Sequence, residues 1–278
     1  MATTIGVLHP GEMGSGVGAS ARAAGARVLW ASEGRGAATR KRAEADGLED
    51  AGTLAKLARE AQVILSVCPP ASAVDVAKQV AAARFTGVYV DGNAISPATT
   101  RKVGEIIIAA GAKYIDGGIV GPPPRKPGVT RLYLSGAGAA DVAAMLNGGH
   151  LQAIPVEGPI GAASALKMAY AGWNKTQQAL LMAVGAFAMH EGVDEALLKE
   201  WSISQPDLAK RSEKAVEGTA RKAWRFVGEM EELAASFAAA GVPEQFHEAG
   251  AEVYRRLAGW KDSPTPPTVT EVSKTLSR

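Results

Sequence analysis

The sequence predicts an α/β Rossmann-type N-terminal domain followed by an all-α C-terminal domain. Three observations carry that expectation. Short apolar runs alternate with helical patterns through the first half of the chain, which is the signature of βαβ units and a parallel sheet. A glycine-containing turn, His9-Pro-Gly-Glu-Met-Gly14, stands between the first of those runs and the first helix. Past Gly158 the strand-like pattern stops, and from Gly161 to about Met189 no proline interrupts a helical periodicity with apolar residues at 166, 169, 173, 180, 184 and 187. The expected division is a dinucleotide-binding domain over 1–158, an all-helical domain over 159–261, and a Pro-rich mobile or draped tail over 262–278.

Thr4-Ile-Gly-Val-Leu8 reads as a buried strand, 15–24 as a helix of small residues, and Ala26-Arg-Val-Leu-Trp-Ala31 as a second strand. His9 stands where G-x-G-x-x-G has its first glycine. Gly11 would let the backbone approach a pyrophosphate, and Gly14 would let helix and strand pack closely. An ordinary β-turn-α connection fits the same residues. The segment His9, Pro10, Gly11, Glu12, Met13 and Gly14 is therefore a candidate cofactor turn whose position gives it meaning. After the second strand come Ser32, Glu33 and Arg35. A hydroxyl and an arginine in a tight turn suit a 2′-phosphate through charge-assisted bonds, so NADP is expected ahead of NAD, with Ser32 and Arg35 as readers. Glu33 is the residue an NAD site would use for a ribose hydroxyl. Thr39-Arg-Lys-Arg42 reads as a solvated basic helix face.

The alternation continues with a helix over 53–60, a strand over 62–67, a helix over 72–83, a strand over 87–90 and a helix over 98–110. A strand over 113–115 then ends in Asp116, followed by a strand at 131–135, a helix at 139–146 and a strand at 151–155. The turns Cys68-Pro69-Pro70, Asp91-Gly-Asn93 and Asp116 to Pro124 fall on the carboxyl edge of the sheet, where ligands bind. Cys68 reads as a small residue packed beside a cofactor, since no base for a nucleophile stands near it.

At 3.6 residues per turn, Lys167, Ala171, Asn174 and Gln178 share one arc of the long helix. A lysine in the first turns of an apolar helix either snorkels to the surface or has chemical work. Helices are further expected over 194–202, 207–217, 222–240 and 243–259. His247, alone on its helix, reads as structural before catalytic. No His/Cys/Asp cluster has ligand spacing, so no metal is expected.

Composition bounds the remaining classes. The 278 residues are 47% hydrophobic and 21% charged with a net charge of +2, which does not argue for nucleic acid as a partner. One cysteine excludes an internal disulfide and, with no export signal at the N-terminus, fits the cytoplasm. No stretch is apolar enough for a membrane span.

Taken together, these landmarks resemble the β-hydroxyacid dehydrogenase superfamily, which includes 3-hydroxyisobutyrate and 6-phosphogluconate dehydrogenases. They are the turn at 5–14, Asp91 to Pro97 for the family's D-x-S-T-x-x-P, Asp116 to Pro122 for its D-A-P-V-S-G-G, and Gly161 to Lys167 for its G-x-G-x-x-x-K. The resemblance runs from about Thr4 to about Trp260 and is nearest to the 6-phosphogluconate-dehydrogenase-like branch with a distinct C-terminal domain. It implies a cleft between a Rossmann domain and a helical domain, a homodimer through the C-terminal helices, and Lys167 as the catalytic lysine.

On that basis Lys167 exchanges a proton with a substrate hydroxyl during hydride transfer with the nicotinamide, and burial beside the cationic ring lowers its pKa. Asn93 and Asn174 orient the hydroxyl or the lysine, and Gly121, Pro122, Pro123, Tyr170 and Trp173 shape the substrate pocket. Asn93 replaces the family serine, Val120-Gly121-Pro122 replaces Ser-Gly-Gly, and Ala171 replaces an asparagine, which points to a substrate larger or more apolar than a short hydroxyacid. Two alternatives share the fold: an imine reductase, and an NADPH-binding sensor or scaffold without turnover.

Overall fold

The computed structural model describes residues 2–261 and 263–277. The chain divides into two compact units, Met1–Met168 and Ala169–Arg278.

The first unit is an α/β fold. Its strands are β1 (Thr4–Val7), β2 (Arg27–Trp30), β3 (Glu49–Asp50), β4 (Val63–Ser66), β5 (Val88–Asp91), β6 (Lys113–Val120), β7 (Thr130–Ser135) and β8 (Leu151–Pro155). Its helices are α1 (Glu12–Ala23), α2 (Ala37–Ala45), α3 (Leu54–Glu60), α4 (Ala73–Ala82), α5 (Pro97–Ala109) and α6 (Ala139–Leu146). The strands form one eight-stranded sheet in the order β3-β2-β1-β4-β5-β6-β7-β8. Pairing is parallel except between β6 and β7. Period-2 alternation sorts the strand residues into two cores: Val63 and Leu65 face one layer with Val17 and Val142, while Ile64 faces the other with Val76, Val103 and Ile107. Local chemistry starts the helices. Thr53 caps α3, and Ser96 caps α5 with Pro97 in its first turn.

Three features of this unit differ from expectation. The two-residue strand β3 was not foreseen, because two residues carry no periodicity. Helix α1 begins at Glu12 rather than 15, so Glu12, Met13 and Gly14 are its first turn. Strand β6 does not end before Asp116 but continues to Val120, with Gly117 and Gly118 paired to Leu134 and Tyr133. Those glycines admit close neighbours: a Cβ at Gly117 would lie 2.7 Å from the Asp91 carbonyl oxygen, and one at Gly118 would lie 2.8 Å from both the Ala163 carbonyl oxygen and the Lys167 Cβ.

Helix α7 (Ala162–His190) enters the second unit, which adds α8 (Asp194–Ser204), α9 (Leu208–Thr219), α10 (Ala223–Ala239), α11 (Gln245–Arg256) and α12 (Val269–Leu276). Buried Tyr254 of α11 donates to the Lys175 carbonyl at 2.7 Å and meets Phe226 of α10 edge-on. Lys175 bonds Glu229 at 3.0 Å and lies over the Phe226 ring. His247 is 4% exposed, hydrogen-bonded through Nδ1 to Thr176 at 2.8 Å and edge-on to Phe237, and burial lowers its pKa. It is a packed residue of the helical unit.

The tail corrects a further expectation. Asp262 and Arg278 lie outside the described residues, but 269–276 is helical. A capping box between Thr268 and Glu271 starts α12, and Val272 and Leu276 are buried along it. The division between units falls at 168/169 rather than 158/159, within α7, because the first turn of that helix is hydrogen-bonded to the sheet.

Candidate cofactor and catalytic site

The carboxyl end of β1 leads into a four-residue turn, Leu8-His9-Pro10-Gly11, with Gly11 as the N-cap of α1. The Gly11 cap offers no side-chain acceptor, and the first turn presents a partially positive helix end. A Cβ at Gly11 would meet nothing within 4 Å, whereas one at Gly14 would lie 2.2 Å from the His9 carbonyl oxygen. Gly14 is therefore required by the protein's own packing. Gly11 leaves room above the turn. Open space at a positive helix end is what a dinucleotide pyrophosphate requires, so the residues fit that group.

His9 fills the first-glycine position with a side chain that has a partner. Its Nε2 lies 2.9 Å from the Arg35 guanidinium, and burial, followed by the Arg35 charge, pulls the imidazole down to about 4. The basic face of α2 is not simply solvated. Arg40 donates to the Ser32 carbonyl at 3.1 Å and Arg42 to the Pro10 carbonyl at 3.0 Å, so both guanidiniums are drawn to the cofactor turn and the end of β2. Ser32 is buried, and Glu33 is exposed. A pocket beside this cluster is lined by Leu8, Ala31, Leu54 and Val76, with His9, Glu33, Arg35 and Gln79 as its polar groups, the apolar wall with a few polar groups that a small-molecule site has.

At the next strand ends Asn93 is 2% exposed and spends both ends of its carboxamide on the last residue of β4 and the turn that follows it. Its Oδ1 accepts from the Cys68 N–H at 2.6 Å and its Nδ2 donates to Ser66 at 3.3 Å. One amide N–H is left for any other partner. Burial, then the Asp91 charge, pushes the Cys68 thiol up to about 12, which suits packing and not nucleophilic attack. Pro69 and Pro70 start the short 3-10 turn that leads into α4.

Asp91 and Asp116 are register partners across β5 and β6. Both are buried. Asp116 accepts five hydrogen bonds, from the Thr100, Ser135 and Ser164 hydroxyls and from the backbone N–H groups of Gly161 and Ser164. Ser135 in turn accepts from the Ala163 N–H at 3.0 Å. The start of α7 is thus capped by side chains from the sheet. Lys167, one turn along, rests its Cβ against Gly118. Since Ser66, Asp91 and Asp116 share one level of the sheet, Gly118 overhangs the carboxyl edge by about 7 Å. Lys167 is thereby held on the side of the sheet where the β1–α1 turn emerges.

The loop after β6 turns at Gly121, where φ is +117° and a Cβ would lie 2.2 Å from the Val129 carbonyl oxygen. The Pro122 carbonyl accepts from Thr130, and Arg125 pairs with Asp46, which also accepts from Ser15 on α1. Pro122, Pro123, Arg125 and Lys126 line a cleft of about 520 Å³ with Glu12 and Arg42.

A family model described as the NAD binding domain of 6-phosphogluconate dehydrogenase matches residues 4–145, just over half of the chain. The chain belongs to the β-hydroxyacid dehydrogenase superfamily. Its C-terminal part is distinct, with residues 188–257 matching a domain of unknown function (DUF1932). An uncharacterized 28.5 kDa protein from Methanothermus fervidus is 30% identical over 170 residues, which cover 60% of this chain and 64% of that protein, under two thirds of its length. The solved structure of the conserved protein MTH1747, described as similar to 3-hydroxyacid dehydrogenases, is 25% identical with a TM-score of 0.72 over 92% of this chain and 97% of that one. Mycobacterium tuberculosis 3-hydroxyisobutyrate dehydrogenase, solved with L-serine, is 18% identical with a TM-score of 0.72 over 100% of both chains, a likeness of fold.

Within this superfamily member, the first unit brings together His9 to Gly14, Ser32, Arg35, Cys68 to Pro70, Asn93, Lys167 and the 121–123 loop on the carboxyl side of one sheet. Tyr170, Trp173 and Asn174 belong to the second unit. There Tyr170 and Trp173 are 46% and 68% exposed, and the Asn174 amide donates to the Tyr170 carbonyl one turn back. Sequence reasoning missed Arg40 and Arg42, whose side chains looked like surface charge, and the capping role of Asp116. Among the described residues no group of three or more His, Cys, Asp or Glu could hold a metal ion, and no helix is long and apolar enough to cross a membrane.

Proposed function

We propose that this chain is an NADP-dependent oxidoreductase that moves a hydride between the nicotinamide and the carbinol carbon of a β-hydroxyacid-like substrate, with Lys167 as general acid and base. The observation that carries this reading is the seating of Lys167. Three hydrogen bonds from the start of α7 to Asp116, the contact with Gly118 and the overhang of β6 hold that lysine on the cofactor side of the sheet. Such rigid placement is what proton transfer at a defined atom requires. The α1 terminus and Gly11 would hold the pyrophosphate, and Ser32 with Arg35 the 2′-phosphate. When bound, the cofactor supplies the hydride chemistry. The Lys167 amine takes the hydroxyl proton as the carbinol is oxidised and returns it on reduction. Asn93 fixes the β4 and β5 loops against each other, Asn174 and the aromatic pair Tyr170 and Trp173 are assigned to the substrate side, and Gly121 to Pro123 shape the loop.

The test is initial rates with NADP and NAD across short, aromatic and sugar-derived β-hydroxyacids, with Lys167→Ala beside the parent. NADP-linked oxidation should fall by about 10²–10⁴-fold in the variant while cofactor affinity survives. Undiminished turnover would overturn the mechanism. NADPH binding without turnover of hydroxyacids, alcohols or imines would favour a sensor.

We also infer a homodimer through the C-terminal helices, supported by exposed Leu180 and Phe187 on α7, Ile203 on α8 and Phe246 on α11. Sedimentation should give twice the 28.6 kDa chain mass, and a monomer at micromolar concentration would remove this assignment.

A further inference from the structure

His9 is the place where this turn departs furthest from a dinucleotide fingerprint, and its side chain is not idle. The Arg35 Nη2 is a donor only, so at 2.9 Å it must be received by the lone pair of His9 Nε2. That fixes the tautomer. The proton sits on His9 Nδ1, which is buried and has no hydrogen-bond partner among the described residues; the Arg35 Nε–H is buried and unpartnered in the same way. Both residues line the pocket formed with Leu8, Ala31, Leu54 and Val76, which Glu33 and Gln79 also border, the former an exposed residue. Two buried donors facing no acceptor are costly, and each is stabilised by an oxyanion that supplies one. The backbone at His9 does not need glycine, since its φ is not in the left-handed region.

We propose that His9 is a positioning residue for cofactor specificity: it tethers Arg35 at this pocket so that the guanidinium and the imidazole Nδ1–H together receive the 2′-phosphate of NADP. This rests on the NADP reading above and adds the residue that enforces it. An arginine held by a neutral imidazole keeps its full charge for the ligand, whereas a carboxylate in the same role would cancel it. The tether also spares the arginine part of the rotamer entropy that an untethered side chain loses on binding. A second contact from a glycine backbone could do neither.

The experiment measures NADPH and NADH dissociation constants for the parent, His9→Gly, Arg35→Ala and the double variant. His9→Gly restores the fingerprint glycine, so the turn itself is preserved. Each single variant should weaken NADPH by about tenfold or more and change NADH by less than about threefold. The double variant should weaken NADPH by less than the two single losses combined, because part of the His9 effect runs through that side chain. In the parent, the histidine ring NMR signal absent from His9→Gly should shift with NADP and not with NAD, a readout that a packing role would not produce. Equal losses for both cofactors, additive losses, or unchanged NADPH affinity in His9→Gly would overturn the proposal. A parent that prefers NADH would instead overturn the NADP reading itself, independently of any variant.

Discussion

Asp91 and Asp116 are the same residue, both buried, side by side on neighbouring strands at one level of the sheet. Their surroundings differ completely. Asp116 is met by five donors, three of them on or just before the first turn of α7. Asp91 receives the Asn93 N–H on one oxygen at 2.9 Å and has no hydrogen-bond partner among the described residues on the other. Burial, reinforced by the charge of Asp116 and opposed by the Asn93 N–H and more weakly by the Tyr114 and Asn93 side chains, raises the Asp91 carboxyl to about 7. One aspartate is an anchor, and the other is a titrating group inside the protein. The count of donors, not depth, separates them.

The comparison breaks most severely at Asp116. Asp116→Ala leaves two backbone N–H groups and three hydroxyls without their acceptor, and should cost at least about 3 kcal/mol in urea unfolding. It should also abolish Lys167-dependent turnover, because the helix start that seats the lysine is released. A variant as stable as the parent would show that the sheet does not pin α7.

A smaller effect of opposite sign is expected at Asp91. Its folded-state value lies above the ordinary 3.8, so the native carboxyl keeps a proton that the unfolded chain has lost. Stability therefore falls as pH rises from about 4 to about 7. Asp91→Asn keeps an acceptor for the Asn93 N–H and removes the charge. It should be nearly neutral at about pH 4 and gain on the order of 1–3 kcal/mol at about pH 8, read from unfolding midpoints at the two pH values. A gain that does not grow with pH would mean that Asp91 is not the titrating group.

How much of this was legible along the chain follows from the distance over which each feature is determined. The strands with three or four apolar residues and the capped starts of α3 and α5 depend on neighbours within a few positions, and they stand where local pattern put them. Strand β6 was cut short because Gly117-Gly118 reads as a break, although here the absent Cβ atoms admit Asp91 and Lys167. The Thr268–Glu271 capping box was present in the sequence and was outweighed by the prolines before it. The partners of Asp116 stand 16 to 48 residues away, and those of Arg40 and Arg42 reach back 8 and 32, so no local signal marked them.

Sequence alone determined the fold class, the order of the elements, the family and the candidacy of Lys167, because periodicity, turn chemistry and motif spacing are properties of the chain itself. Tertiary structure decided which polar groups are occupied. It tied His9 to Arg35, spent both ends of the Asn93 amide on β4 and the turn after it, drew two surface-looking arginines onto the cofactor turn and the end of β2, and made one of two matched aspartates a cap. Burial and hydrogen bonding depend on atoms that meet only after folding, and those two quantities set what a polar side chain can do.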